Sequence, residues 1–389
     1  MSSRDRVLAA LSHRESDRLP LDIGSVQVTG IHVEAYRGLR NALGLPETES
    51  TLCDSIQRLA LPEEDFIARL GVDIRGLYPR NSHNWNVVEV EAGDYWEYHD
   101  EWGITHRRPR PGGLYHSVSR VPLPGPGLTA RDIEKHPWPD LGDPRRIEGL
   151  KEKALAYRNA GFAVLLKDPF AGIFEMSQRI IGMEELLMTM AAEPEVAEAL
   201  FDKMLQLKLA FWEMALPVLG DLVDVVSYAD DYGSQSSQII SPRMFRELVK
   251  PRVRILFDAM KRLAPTAWRF FHSCGNVRPL LPDFIEIGTQ ILNPVHISAT
   301  GMEPVALKRD FGADLVFWGG GVDTQGVLPR GSPDDVRDDV RKNIEALAPG
   351  GGFVFSTVHN IQSDVPPANI IAMVEALRGF VLPEPIPPS

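Results

Sequence analysis

The run Phe271-His272-Ser273-Cys274-Gly275-Asn276 ends an apolar stretch with an imidazole and a thiol one residue apart. Alternate side chains of an extended strand face the same way, so this pair can reach one metal ion. Further on, Gly350-Gly351-Gly352-Phe353-Val354-Phe355-Ser356-Thr357-Val358 delivers His359 to the end of another apolar stretch. Two protein ligands make a weak metal site. Three make a catalytic one, with the fourth position left for substrate or water. The competing reading is a packed strand end, since a buried Cys is more often a small core side chain than a ligand.

Such ligands need a scaffold that brings distant segments together. From about residue 160, short apolar runs at 162–166, 223–228, 267–271, 290–292, 315–318 and 353–355 alternate with amphipathic segments at 183–215, 242–263, 276–287, 303–311, 333–347 and 366–380. Strands alternating with helices imply a parallel sheet. Upstream, 4–11 and 33–43 read as helices and 19–24 and 72–78 as strands. Together with the later six, these two strands give the eight that close a barrel. The predicted fold class is α/β: a (β/α)8 TIM barrel spanning 1–389 as one domain, with an N-terminal helical extension. A doubly wound sheet would carry a Gly-rich phosphate fingerprint after its first strand, and Asp22-Ile23-Gly24-Ser25 is not one. Alternation at 85–91, 95–99 and 115–121 predicts a β-hairpin insertion over 81–125, its aromatics packing the appended sheet in preference to covering the mouth. Stretches 122–127 and 136–144 are turn-rich, and the Pro-rich tail 382–389 is expected to fray.

Barrel active sites collect at the C-terminal ends of the strands. Strand after strand here ends in chemically capable residues: Lys167-Asp168, Asp230-Asp231-Tyr232, His272 and Cys274, Asn293 and His296, Asp323, and His359. Each has a plainer use. Asp168 precedes a Pro and can shape a turn. Asp230 or Asp231 can cap the next element, although adjacent carboxylates are not both buried without a cation or donor. Asp323 follows Gly319-Gly320-Gly321, which either forms a loop or lets a ligand approach backbone. His296 serves equally as a packing histidine, and Cys53, on a helix-like stretch with Leu52 and Ile56, as core.

Composition narrows the field. A formal charge of -12, with no basic stripe, argues against a nucleic-acid surface. Two cysteines, Cys53 and Cys274, offer no disulfide framework and fit a reducing compartment. The segment 1–18 is studded with Arg, Asp and Glu, unlike a signal peptide, and no run of 18 apolar residues could span a membrane. A cytoplasmic protein is expected.

With these residues in hand, the chain resembles the uroporphyrinogen decarboxylase superfamily over nearly its full length, in particular the branch of corrinoid-dependent methyltransferases. The resemblance rests on Arg6-Val7-Leu8-Ala9-Ala10-Leu11 with Asp17-Arg18-Leu19-Pro20, then Asp230-Asp231-Tyr232-Gly233-Ser234-Gln235 with Ile240-Ser241-Pro242. It continues through His272-Ser273-Cys274-Gly275-Asn276, Ile291-Leu292-Asn293-Pro294, Gly319-Gly320-Gly321-Val322-Asp323, His359-Asn360-Ile361-Gln362 and Val365-Pro366-Pro367. It implies a (β/α)8 barrel and a zinc ion held by a His-x-Cys pair and a later Cys. The pair carries over onto His272 and Cys274. No cysteine follows Cys274, and His359 stands near the third ligand's place; Asp230 or Asp231 is the alternative donor. The decarboxylase branch grips its substrate with an Arg-rich N-terminal segment, whereas here no arginine intervenes between Asp22 and Arg37.

The expectation is a zinc-dependent methyltransferase in which His272, Cys274 and His359 hold the metal. Asp230, Asp231 and Tyr232 are the catalytic candidates, and Asp168, Asn293, His296 and Asp323 the substrate-binding ones. Two imidazoles and one thiolate make a stronger Lewis acid than two thiolates, which favours demethylation of a small O-, N- or S-methyl donor over methylation of a thiol. The corrinoid-binding motif D-x-H-x-x-G is absent, so a separate corrinoid protein is the expected partner. The resemblance also implies a homodimer. The alternatives are a cofactor-free decarboxylase and a non-catalytic small-molecule-binding barrel.

Overall fold

Seven short strands run parallel in chain order: β1 (Ile74–Leu77), β2 (Ala163–Leu166), β3 (Val225–Ala229), β4 (Trp268–His272), β5 (Ile291–Asn293), β6 (Val316–Trp318) and β7 (Phe353–Val354). The computed structural model describes residues 1–83, 85–123 and 125–380, so the tail 382–389 lies outside the described residues. β2 and β3 are buried along their whole length, as expected for strands covered on both faces.

Segment 19–24 closes the sheet. Leu21 bridges Phe355 in parallel; Phe355 N–H donates to the Pro20 carbonyl and Asp22 N–H to that of Phe355, both at 2.9 Å, while on the other side Asp73 N–H donates to the Leu21 carbonyl at 2.9 Å. Pro20 has no N–H to give to a ladder, so this eighth stave is an isolated bridge where the sequence predicts a regular strand. The predicted (β/α)8 architecture is otherwise what the chain adopts.

Side-chain parity fills the barrel. Val225, Phe270, Ile291, Val316 and Val354 pack inward in one apolar cluster with Val7, Ala10 and Leu11 of the helix Ser3–Leu11. That helix, with a Ser2 capping box at its start, plugs the N-terminal end of the barrel: Arg4 N–H donates to Gly161 and Gly352 N–H to Ala10, both just before strands. The opposite, C-terminal end stays open.

Other elements depart from expectation. The helix predicted over 183–215 is two, Met183–Ala192 and Pro194–Leu219, because Pro194 drives Glu193 out of the helical region (φ -136°, ψ 59°). Cys53 lies on a short strand, Leu52–Asp54, paired with Leu59–Ala60, rather than on a helix. The insertion is a four-stranded antiparallel sheet of Val90–Ala92, Tyr95–His99, Thr105–Pro109 and Ser117–Arg120. Sequence periodicity missed the third strand because its inward residues, His106 and Arg108, are polar. They are buried against Asp100 at 2.8 Å and Glu89 at 3.1 Å. Tyr98 stacks on His106, and Trp102 packs on Phe170 beyond β2, which ties the sheet to the barrel.

Candidate metal centre

β4 alternates Phe270 and His272 inward with Arg269 and Phe271 outward, and Cys274 continues the inward series. Phe270 floors the site and His272 is the last strand residue, in register with Asn293 of β5. The Asn293 amide donates from Nδ2 to the Trp318 carbonyl at 2.7 Å, which leaves its Oδ1, 2.5 Å from His272 Nδ1, as an acceptor. His272 therefore carries its proton on Nδ1, and the Nε2 lone pair faces Cys274 Sγ at 3.5 Å. A second-layer partner that fixes the tautomer is the usual arrangement behind a metal-binding imidazole.

His359 completes the group from beyond β7. Its ring centroid lies 5.9 Å from that of His272, and one donor atom each from His272, Cys274 and His359 falls within 4.8 Å of the others. Zinc bonds of about 2.0–2.3 Å set the ligand atoms of a tetrahedron roughly 3.5 Å apart, so the group need draw in by only about 1 Å to close a coordination shell. Burial lowers both imidazoles to about 4, the His359 ring being held down further by His272. Both are thus neutral and free to coordinate. Burial first, then Asp231 and Glu175, pushes the Cys274 thiol well up; a bound divalent cation favours its thiolate. The donor set fits zinc.

The adjacent carboxylates of 230 and 231 point to different tasks. Asp231 Oδ1 accepts the Cys274 N–H at 2.7 Å and lies 3.5 Å from His272 Nε2. Its side chain remains 37% exposed, and its other oxygen accepts no hydrogen bond from a described residue. Asp230 is fully buried. It accepts from Phe174 N–H at 3.0 Å and Glu175 N–H at 2.7 Å, from the Tyr228 hydroxyl at 2.7 Å and from the Tyr232 hydroxyl. Burial still pushes it up to about 7 against those donors. It thereby pins the N-terminus of the helix Ile173–Ile181, while Tyr232 is buried among Phe174, Phe245 and Phe271.

Asp168 likewise faces away from solvent. Both its oxygens meet Lys208 Nζ, at 2.8 and 2.7 Å, and the same ammonium donates to the Phe170 carbonyl at 3.0 Å. Burial raises Asp168 and lowers Lys208, and their mutual attraction opposes both shifts. Asp323 caps its own turn, accepting from Gln325 and Val327 N–H. His296 Nδ1 accepts the Gly275 N–H at 2.9 Å, bracing the turn after Cys274.

Two residues absent from the sequence-derived ring, Glu175 and Arg179, also belong to this end of the barrel, together with Lys167 from within it. Glu175 and Arg179, one helical turn apart and paired at 2.5 Å, project from Ile173–Ile181, and Arg179 acts electrostatically on Asp231. Lys167, whose Nζ donates to the Asp168 carbonyl at 2.8 Å, senses Asp54, Cys53 and Arg179. The i,i+4 Glu–Arg spacing next to Gly172 was the available signal.

Comparison with known proteins bears on the family and the fold. The family model described as uroporphyrinogen decarboxylase (URO-D) matches residues 159–380. No curated protein sequence matches. Among solved structures, a methyltransferase from Methanosarcina mazei superposes over 97% of this chain and 98% of its own with a TM-score of 0.62 at 18% identity. Xylanase B from Clostridium stercorarium F9 covers 59% of this chain and 83% of its own with a TM-score of 0.37 at 10% identity. Among the described residues, no helix is long and apolar enough to cross a membrane.

Proposed function

Since the chain belongs to the uroporphyrinogen decarboxylase family, we propose that it is a zinc-dependent methyltransferase that exchanges a methyl group between a small molecule and the cobalt of a separate corrinoid protein. The convergence of His272, Cys274 and His359 at the open end of the barrel carries this reading; the methyltransferase neighbour of like fold supports it. In the favoured direction, cobalt(I) attacks the methyl carbon of an O- or N-methyl donor. The carbon–heteroatom bond breaks, its electron pair stays on oxygen or nitrogen, and that atom takes up a proton. Zinc held by the three residues would supply Lewis acidity at the departing atom. Asp231, with an oxygen free beside the cluster, is the acid/base group of this proposal, and Lys167 and Arg179 meet the polar end of the substrate. Asp230 acts at one remove, through the helix that carries Glu175 and Arg179.

The test begins with elemental analysis, which should find about one zinc per chain. Mixed with free cob(I)alamin and a panel of methoxy and methylamine compounds, the protein should convert the cob(I)alamin spectrum to that of methylcobalamin. Chelation should stop the conversion and added zinc restore it. Zinc-free protein that releases carbon dioxide from a carboxylated substrate would instead make it a decarboxylase, and ligand binding without metal or turnover would make it a binding barrel.

A further inference from the structure

The insertion and the segment that leads from it to β2 border a cavity of about 510 Å³, a size suited to a small molecule. Trp85 and the turn 100–103 form one side, and the run His136-Pro137-Trp138-Pro139-Asp140 the other. No metal ligand and no other strand-end residue of the barrel mouth lines it. Its aromatic rings are set as walls and not as a stack. Trp102 and Trp138 meet at 70° with centroids 6.3 Å apart, and His136 stands at 69° to Trp138 at 4.4 Å. Trp102 is itself packed on Phe170 at 4.6 Å. Prolines fix φ on either side of Trp138, whose N–H donates to the His136 carbonyl at 2.9 Å, so this wall is rigid before any ligand arrives.

Hydrogen bonding turns several of the donors on these walls toward the protein. The indole N–H of Trp85 donates to the His99 carbonyl at 3.1 Å and that of Trp138 to the Ile133 carbonyl at 2.8 Å. His136 Nε2 lies 3.2 Å from the Trp102 carbonyl and so carries the ring proton. Four carboxylates line the cavity, those of Asp100, Glu101, Asp140 and Asp143. Arg146 offsets Glu101 at 2.6 Å and Arg145 offsets Asp143 at 2.8 Å. Asp100 and Asp140 remain. His106 Nε2 stands 2.8 Å from Asp100, but its Nδ1 is buried with no partner among the described residues, so the ring donates as a neutral imidazole and cancels no charge. Asp140 Oδ1 accepts the Gly142 N–H at 2.9 Å, and its Oδ2 accepts none from a described residue. The walls thus offer a negative potential and aromatic faces but few free acceptors. A primary ammonium would leave more hydrogen bonds behind in water than these acceptors return. A methylated one gives up few and is drawn to the ring faces.

We propose that Trp85, Trp102, Trp138, His136 and Asp140 bind a small methylated ammonium ion at a site separate from the metal centre. The inference does not rest on methyl transfer. Isothermal titration of the full chain at constant chloride compares choline with its uncharged isostere, in which carbon replaces the quaternary nitrogen. Choline should bind saturably and roughly tenfold more tightly than the isostere. Asp140→Asn, which keeps the acceptor for Gly142, and Trp85→Leu, at a half-buried position, should each weaken choline binding about threefold to tenfold. Zinc content and the urea unfolding midpoint should not move in either variant. Zinc-free protein and Cys274→Ala should bind choline as the parent does. Absence of saturable choline binding overturns the proposal, as does equal binding of the isostere. Parental affinity in either cavity variant also overturns it. So does a dependence on zinc or Cys274, which would put the cation inside the barrel.

Discussion

On the arc of the barrel mouth above β2 and β3, two carboxylates at strand ends are fully engaged: Asp168 by the Lys208 ammonium, Asp230 by two tyrosine hydroxyls and two backbone N–H groups. Across the mouth, above β4 and β7, two imidazoles and a thiol converge, with His272 Nε2 facing Cys274 Sγ at 3.5 Å and the far nitrogen of His272 held by Asn293. Both arcs lie at the same end of the same sheet, the first buried outright, the second with His272 buried and Cys274 and His359 partly exposed. They differ in what desolvation leaves behind. A buried charge persists only when paired, so the carboxylate arc is saturated from within and becomes structure. Neutral donors tolerate burial unpaired at smaller cost, and stay available to a cation.

Substitutions on the two arcs should therefore fail in different ways. Cys274→Ala removes a ligand and little packing, so the variant should fold as the parent does yet retain almost no zinc and no methyl transfer, read by elemental analysis beside urea denaturation. Zinc retained at the parental level would show that the thiol is not a ligand. Lys208→Met does the reverse. It strands Asp168, 1% exposed, without its counter-charge, at an expected cost of about 3–5 kcal/mol in unfolding free energy. The zinc content of the folded fraction should hold. Adding Asp168→Leu should recover much of that loss, since two apolar groups can replace a buried pair.

The same contrast explains what was legible in the sequence. His272 and Cys274 could be paired from strand alternation alone, a local rule, and His359 from its place at the end of a later strand. The ring of polar strand ends followed from the barrel. Asp230 was not separable from Asp231 on such grounds, because its partners come from the start of the helix Ile173–Ile181, which apolar spacing had not marked, and from Tyr228 on its own strand. The strand Thr105–Pro109 hid because its buried face is His106 and Arg108, made tolerable by distant carboxylates. Segment 19–24 was placed correctly, but Pro20 limits its pairing to a bridge.

His359→Cys should produce the smallest change and the most informative one. It restores the two-thiolate donor set that the family resemblance implies, so zinc should remain near one per chain, with a zinc-edge spectrum shifted toward sulfur ligation. The shorter side chain must still reach a cluster now spread over 4.8 Å, a demand that the Gly350-Gly351-Gly352 run preceding β7 does nothing to ease, since it sits at the closed end of the barrel. A second thiolate adds negative charge and weakens the Lewis acid. If the enzyme demethylates an O- or N-methyl donor, the rate should fall, within about tenfold for a ligand exchange that preserves the metal. If it methylates a thiol, the added charge makes the bound sulfur more electron-rich and the rate should rise. The sign of the change, measured at matched zinc content, thus reports the direction in which the methyl group moves.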